Sequence, residues 1–237
     1  MNLFSKFIKA IKQFNLVENG DKIAIGLSGG KDSLMLVDLF SQLKKTTIVD
    51  FEVCAVMIDM FNGQYDFTKI EEFCNERNIK LHIVKTQIYE ILFDLRKEKN
   101  PCSLCSKMRK GQLIAFSKSL GCNKIALGHH ADDLLETFFL SLIYEARLST
   151  FEPLSYLSRE EVYQIRPMVY IFESDIINKS QDFPIFVNPC PADKHTKRQV
   201  IKDKIKDFEN LVPTFRKNTL KAILDPTRRQ NLLKNDN

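Results

Sequence analysis

The sequence predicts an α/β fold built on a doubly wound, mostly parallel sheet with a small helical C-terminal extension. Three observations carry this. Up to Ser149, apolar stretches of strand length alternate with helical patterns, the signature of βαβ units. Three polar clusters, at residues 28–33, at Asp59 and at 129–133, end predicted strands, where open α/β sheets bind their ligands. Beyond Ser149 the alternation breaks up and helical patterns take over.

The N-terminal segment, 1–20, alternates Lys with Phe and Ile at helical spacing. It lacks a long apolar stretch and reads as an amphipathic helix, not a signal peptide. Strand 22–28 leads through paired glycines into helix 31–44, and strand 51–59 ends on the Asp59 carboxylate. Helix 67–77 and the alternating strand 80–86 follow, then helical patterns at 88–99 and 102–120. Strand 124–130 feeds helix 132–144, and the C-terminal quarter holds helices 196–210 and 213–224. The expected organisation is a helix over 1–20, a nucleotide-binding domain over 21–190 and a basic helical extension over 191–237.

At 237 residues the chain is long enough to bury one full core. No apolar run approaches the roughly 20 residues that span a bilayer, so no membrane role is expected. With nothing pointing to secretion, a cytoplasmic setting and six reduced cysteines are expected. The net charge of +5 is uneven. From Lys194 onward 12 Lys or Arg face 5 Asp or Glu, a net of +7, whereas the preceding residues carry 23 against 25, a net of −2. A basic quarter on a near-neutral body suits a polyanionic partner, although a solvated helical tail has the same composition.

Ser28, Gly29, Gly30, Lys31, Asp32 and Ser33 join the first strand to its helix. A helix N-terminus points N–H groups outward and its dipole favours negative charge. The glycines permit close approach of a phosphate chain, the serines add hydroxyls and Lys31 adds a point charge. A Walker A loop needs Ser or Thr after its lysine, and Asp32 stands there instead. Ser-Gly-Gly-x-Asp-Ser resembles the signature of the PP-loop ATP pyrophosphatases. That resemblance implies an adenine nucleotide alpha hydrolase-like fold that cuts ATP to AMP and pyrophosphate while adenylating a substrate oxygen.

His129, His130, Asp132, Asp133 and Glu136 cross from a strand into a helix. One aspartate suffices for capping. Two, with Glu136 a turn further on, match the oxygen preference of Mg²⁺ beside a triphosphate. The segment is similar to a second PP-loop motif, Gly-His-x-x-Asp-Asp-x-x-Glu-Thr. Cys102 and Cys105 lie one helical turn apart, and Cys190 sits in a proline-flanked loop. Cys54, Cys74 and Cys122 have core-like contexts. Three thiolates fit a [4Fe–4S] cluster with one iron lacking a protein ligand, and equally a Cys₃His zinc site completed by His195.

Residues 102–111 and 129–137, Arg166-Pro-Met168, and Cys190 followed by 198–203 come in one family order. Together with the phosphate loop they resemble the tRNA 2-thiocytidine synthetase family over roughly residues 10–210. The resemblance implies an ATP-dependent tRNA sulfurtransferase that adenylates cytidine 32 and replaces its oxygen with sulfur. It implies ATP, Mg²⁺ and a [4Fe–4S] cluster as cofactors, the last on Cys102, Cys105 and Cys190. Lys31, Asp32 and Asp133 are the implied catalytic residues. Ser28, Gly29, Gly30, Lys31, Asp32, Ser33, Asp59, His129 and Asp132 are the implied nucleotide site, with adenosine near Asp59. tRNA is the implied partner, gripped by the basic quarter with Lys107, Arg109 and Lys110. The sulfur donor is left between a cysteine desulfurase system and sulfide, and a homodimer is left open. Two stretches depart from the family pattern. At 187–190 only the second cysteine of a Cys-x-x-Cys is kept, and 145–153 replace a glycine- and lysine-rich stretch. Two other readings stand beside this one: a PP-loop ligase with an amine nucleophile, like the lysidine or NAD synthetases, and a zinc-stabilised nucleotide-binding adaptor without turnover.

Overall fold

The computed structural model describes residues 2–96, 101–190 and 197–228. Its chain divides into two compact units, Met1–His130 with Glu152–Ala192, and Ala131–Phe151 with Asp193–Asn237.

The first unit holds the sheet. Strands β1 (Asp21–Leu27), β2 (Phe51–Asp59), β3 (Lys80–Lys85), β4 (Lys124–Ala126), β5 (Leu154–Leu157) and β6 (Val162–Ile165) lie in the order β3-β2-β1-β4-β6-β5. All neighbours run parallel except β5, which is antiparallel to β6. Ile23, Ala24 and Ile25 of β1 are fully buried, as a central strand covered on both faces requires. Side chains alternate between those faces. Ala24, Val56 and Ile58 pack with Leu104, Met108 and Phe116 of α4 (Pro101–Ser119), while the intervening residues of β1 and β2 turn the other way.

Helix α1 (Leu3–Phe14) starts where the Asn2 side chain accepts the Ser5 N–H at 2.8 Å, and ends at Asn15 in the left-handed region, φ 49°. Phe7, Ala10 and Ile11 form its buried stripe, and Phe7 meets Phe40 of α2 (Lys31–Lys44) edge to face, centroids 5.3 Å apart. Full burial of Phe7 contributes about 2–3 kcal/mol, enough to dock the helix. Helices α3 (Thr68–Glu76) and α6 (Glu173–Lys179) complete this unit, with α5 (Ala131–Glu145), α7 (Lys197–Leu211) and α8 (Phe215–Leu224) making the other. There Phe215 stacks between Phe139 and Phe208 at 5.9 and 5.1 Å, over buried Leu134, Leu135, Ile201, Ile205 and Leu220.

The helix expected over 88–99 is a π-helical stretch, Glu90–Leu95, closed by Arg96 N–H on Ile91 O at 3.0 Å; residues 97–99 lie outside the described residues. Strand 124–130 is shorter than expected. Regular pairing stops at Ala126 and returns as one bridge, His130 to Met168, because Pro167 has no N–H to offer. The β5–β6 hairpin and α6 were not expected; segments of four and seven residues are too short to show a period. No helix among the described residues is long and apolar enough to cross a membrane.

Candidate active site

Strand order in the sheet reverses direction between β1 and β4, so the crevice beyond their C-terminal ends is where such a sheet takes a ligand. The 28–33 loop follows β1 at that point. Gly29 has φ +82°, and a Cβ there would lie 2.9 Å from Phe186 Cβ and 3.2 Å from Ile70 Cδ1. Only glycine meets both conditions. Gly30 is the N-cap of α2 and brings no capping side chain, which leaves the first-turn amides to an outside anion. The two serines brace the loop from within: Ser33 Oγ donates to Gly30 O at 2.9 Å and lies 3.1 Å from Ser28 Oγ, and Ser28 N–H donates to Ser33 Oγ at 3.1 Å.

Lys31 sits between two carboxylates, 3.1 Å from Asp32 Oδ2 and 3.0 Å from Glu173 Oε1. Burial alone would lower its pKa, but Glu173 and Asp32 outweigh that and raise it, so the ammonium is fully charged. Asp32 Oδ1 is buried without a hydrogen bond, with buried His130 Nε2 3.8 Å away. Gly128 presses against the same turn. A Cβ there would come within 3.1 Å of the Asp32 carbonyl and 3.2 Å of Ser33 N. His129 therefore leaves its strand directly beside the phosphate loop, and its Nδ1 accepts from Arg166 Nε at 3.3 Å.

Asp59 stands at the end of β2 as expected but is buried, with both oxygens engaged: Phe61 N–H at 2.9 Å and Gly63 N–H at 2.5 Å. What it gives the site is the shape of the loop after β2, not an open carboxylate. That loop carries Phe61, which meets Tyr65 edge to face, and Tyr65 joins Phe67 against Phe186 at the glycine turn.

The carboxylates of α5 belong to the second unit. Buried Asp132 pairs with Arg216 of α8. Arg198 of α7 reaches Asp133 Oδ1 at 3.3 Å, Glu136 Oε2 at 3.0 Å and Thr137 Oγ1 at 3.3 Å. Burial raises the Glu136 pKa, and Arg198 opposes it. Arg198, expected among the phosphate contacts, is thus taken up by the protein's own acids.

Cys102 is exposed at the start of α4, while Cys105 and Cys190 are half-buried. Burial pushes the Cys105 thiol up, Arg109 pulls it down, and both Cys190 and Cys102 push it up again, so the three thiols lie within electrostatic reach. Met60 Sδ lies 3.6 Å from Cys105 Sγ. His195, the alternative fourth zinc ligand, and Lys194 lie outside the described residues. Among the described residues no three His, Cys, Asp or Glu close tightly on one point.

A PP-loop domain model matches residues 3–208. The tRNA-cytidine(32) 2-sulfurtransferase of Stutzerimonas stutzeri (strain A1501) is 36% identical over 209 residues, covering 86% of this chain and 76% of the relative. The chain belongs to the PP-loop family, in its tRNA-cytidine(32) 2-sulfurtransferase branch. Among solved PP-loop structures, the U34-tRNA thiolase NcsA from Methanococcus maripaludis with its [4Fe-4S] cluster superposes with a TM-score of 0.74 at 25% identity, covering 92% of this chain and 76% of that one. The NH3-dependent NAD synthetase from Campylobacter jejuni, at 17% identity and TM-score 0.52 over 98% and 95% of the two chains, shares the PP-loop fold.

Sequence reasoning named the phosphate loop, His129, the α5 acids and the three cysteines, but missed Glu173, Phe186, Arg216 and the part Arg166 plays. Arg166-Pro-Met168 was a visible signal. The others bear no local pattern.

Proposed function

We propose that this protein is an ATP-dependent tRNA sulfurtransferase acting on cytidine 32, with residues 21–190 as catalytic domain and 191–237 as tRNA-gripping extension. The observation that carries the reading is that one unit joins a PP-loop at the sheet's switch point to a thiol pair one helical turn apart, Cys102 and Cys105, and a loop thiol, Cys190. An amine-transferring ligase has no use for the thiols.

ATP phosphates would rest on the first-turn amides of α2, with Lys31 placed against the charge that builds as pyrophosphate leaves. Asp32 Oδ1, buried and without a hydrogen bond, fits a Mg²⁺ ligand, and Asp132 and Asp133 of the other unit are proposed as functional carboxylates in their own right. The donor set fits a [4Fe–4S] cluster on Cys102, Cys105 and Cys190: all sulfur, one helical pair and one loop residue. When bound, it supplies an iron without a protein ligand that holds sulfide. The protein's own work is to hold the adenylated base in the crevice, keep water away and brace the leaving phosphate. A splayed anticodon-loop base is the accessible form of such a substrate. The proposed setting is cytoplasmic, with sulfur from a cysteine desulfurase system or free sulfide.

Protein purified without oxygen should carry iron and acid-labile sulfide. Cys102→Ser, Cys105→Ser and Cys190→Ser should each lose them, and Cys54→Ser, Cys74→Ser and Cys122→Ser should keep them. Deleting the gene should remove 2-thiocytidine from bulk tRNA. Stoichiometric zinc without iron, and an unchanged thionucleoside profile, would sink the proposal.

A further inference from the structure

We infer that Cys54 and Cys122 form a thiol–disulfide exchange site, apart from Cys102, Cys105 and Cys190, that takes the disulfide of a small carboxylate-bearing thiol. Parallel pairing sets Lys22 beside Glu52, Cys54 beside Lys80 and Val56 beside His82. Paired residues share a face, so these side chains gather near the N-terminal ends of β1, β2 and β3, on the side that α4 covers. There Lys22, Glu52, Cys54, Lys80, His82 and Leu120 line a cavity of about 300 Å³, the lower end of the range for small-molecule sites. Cys54 is half-buried in that lining, and Cys122 is buried in the same apolar cluster. Cys122 lies in the turn between α4 and β4, where its N–H donates to Ser117 O at 3.0 Å. The two thiols are hydrogen-bonded to each other.

The pair is asymmetric. The hydrogen bond from Cys122, helped by Lys22 and Lys80, outweighs burial and Glu52 and holds the Cys54 thiol below its ordinary range. The same bond, then burial, pushes the Cys122 thiol up, so Cys122 is the donor. An accessible thiolate beside a second thiol that can resolve it is the arrangement of a redox-sensing pair. Cys74 makes the contrast: it is buried, and burial pushes its thiol up to about 11. Burial, then Lys80, lowers the His82 pKa and leaves that ring neutral near pH 7. Among the lining residues two lysines thus face one carboxylate, with Lys22 Nζ 3.3 Å from Glu52 Oε2. The surplus cation meets the Cys54 thiolate and, once that charge has left with the departing thiol, a carboxylate of the bound half.

In the first step the Cys54 thiolate attacks one sulfur of the disulfide RSSR. A Cys54–S–S–R bond forms, the R–S–S–R bond breaks, and RS⁻ leaves and takes a proton from water. Cys54 then no longer accepts from Cys122. The Cys122 thiol gives its proton to water and displaces the second RS⁻, closing Cys54–S–S–Cys122. Two protein thiols are oxidised and one small disulfide is reduced to two thiols.

The test treats the full chain, purified without oxygen, with oxidised glutathione and reads each cysteine by peptide mass spectrometry. We expect Cys54 and Cys122 to appear cross-linked, and Cys122→Ser, which keeps a hydroxyl donor, to trap glutathione on Cys54. Cys74 should stay unmodified. Lys22→Gln with Lys80→Gln should slow exchange with glutathione disulfide roughly tenfold more than exchange with neutral hydroxyethyl disulfide. Glutathione reaching Cys74 as fast as Cys54, or none on Cys54 in Cys122→Ser, overturns the inference, and equal slowing for both disulfides removes the preference for a carboxylate-bearing ligand. Should Cys122→Ser not fold, iodoacetamide labelling of the unaltered protein across pH decides. Cys54 should be alkylated before Cys74 and Cys122, with a midpoint below that of an ordinary thiol; a midpoint at or above it refutes the activated thiolate. None of these outcomes depends on what Cys102, Cys105 and Cys190 hold.

Discussion

The start of α2 and the start of α5 solve opposite electrostatic problems with mirrored devices. At α2 a cation, Lys31, is wedged between two acids, Asp32 and Glu173. At α5 two acids, Asp132 and Asp133, are each met by an arginine, Arg216 and Arg198. The α2 turn holds its charged groups in balance yet keeps its amides open, so a polyanion meets fixed dipoles and pays little to reorganise them. The α5 turn has its negative charge compensated by side chains, so a metal ion there must compete with guanidinium groups. One helix start leaves its amides without a capping side chain, the other has its carboxylates matched by arginines.

The contrast breaks first at Lys31. Lys31→Ala should cut ATP-dependent turnover by roughly 10² or more, because a preorganised charge is lost where negative charge develops. Stability should fall by only about 1 kcal/mol, since Lys31 is a quarter exposed and both acids keep some contact with water. Rates of AMP formation beside a urea melt measure both. Near-normal turnover would take Lys31 out of the chemistry.

Arg216→Ala should do the reverse and act chiefly on stability. Asp132 has a side chain only 5% exposed, and stripping its arginine leaves a poorly solvated carboxylate. We expect a loss of about 2–3 kcal/mol, below the range for a wholly buried pair because Arg216 is itself partly exposed. Arg216→Ala with Asp132→Asn should recover most of it, which denaturant midpoints of the single and double variants will show. Equal midpoints for Arg216→Ala and the parent would mean the pair is only ornamental.

Within the α2 turn, adjacent glycines should part company. Gly29→Ala forces a left-handed φ and a 2.9 Å contact on Phe186 Cβ, and should cost about 1–3 kcal/mol along with nucleotide affinity. Gly30→Ala has φ −77° and its nearest neighbour at 3.5 Å, so it should cost only the roughly 0.5–1 kcal/mol that separates Gly from Ala at an N-cap, and leave nucleotide affinity largely intact. Melting temperatures and ATP titration of the two variants decide this. Similar losses would show that the loop is not held by Phe186.

What was legible in the sequence follows from how local each feature is. Strand, glycine turn and helix at 22–44 are contiguous, so the phosphate loop was readable in full. The Cys102 and Cys105 pair was readable because helical spacing fixes it. Glu173 was not, being 142 residues from Lys31 on a helix of only seven residues, too short to show a period of its own. Asp59 stands at the end of β2, where the sequence put it, with its oxygens on backbone amides. A carboxylate at a strand end looks the same in sequence whether it faces a ligand or, as here, caps the Phe61 and Gly63 amides. Arg198 and Arg216 looked like surface charge because composition records sign but not partner. Their engagement with α5 depends on how helices far apart in sequence pack.

That last point yields the smallest effect, in the salt dependence of tRNA binding. Composition alone would give every cation of α7 an equal share in holding the phosphate backbone. The structure divides them: Arg198 is spent on Asp133 and Glu136, whereas Lys206 is exposed on the same helix. A residue that pairs within the protein releases no counterion from RNA, and so adds nothing to the slope of log K against log salt concentration. Lys206→Glu should lower that slope by roughly 0.7 to 0.9, the value of one phosphate contact, and weaken binding alike for all tRNAs. Arg198→Gln should leave the slope as it is and should instead disturb turnover, by freeing the α5 acids. Filter binding across a salt series, with ATP affinity as the control that Lys206→Glu does not move, separates the two. A slope lowered by Arg198→Gln would mean that tRNA draws Arg198 away from α5, and the second carboxylate cluster would then be open to metal only when RNA is bound.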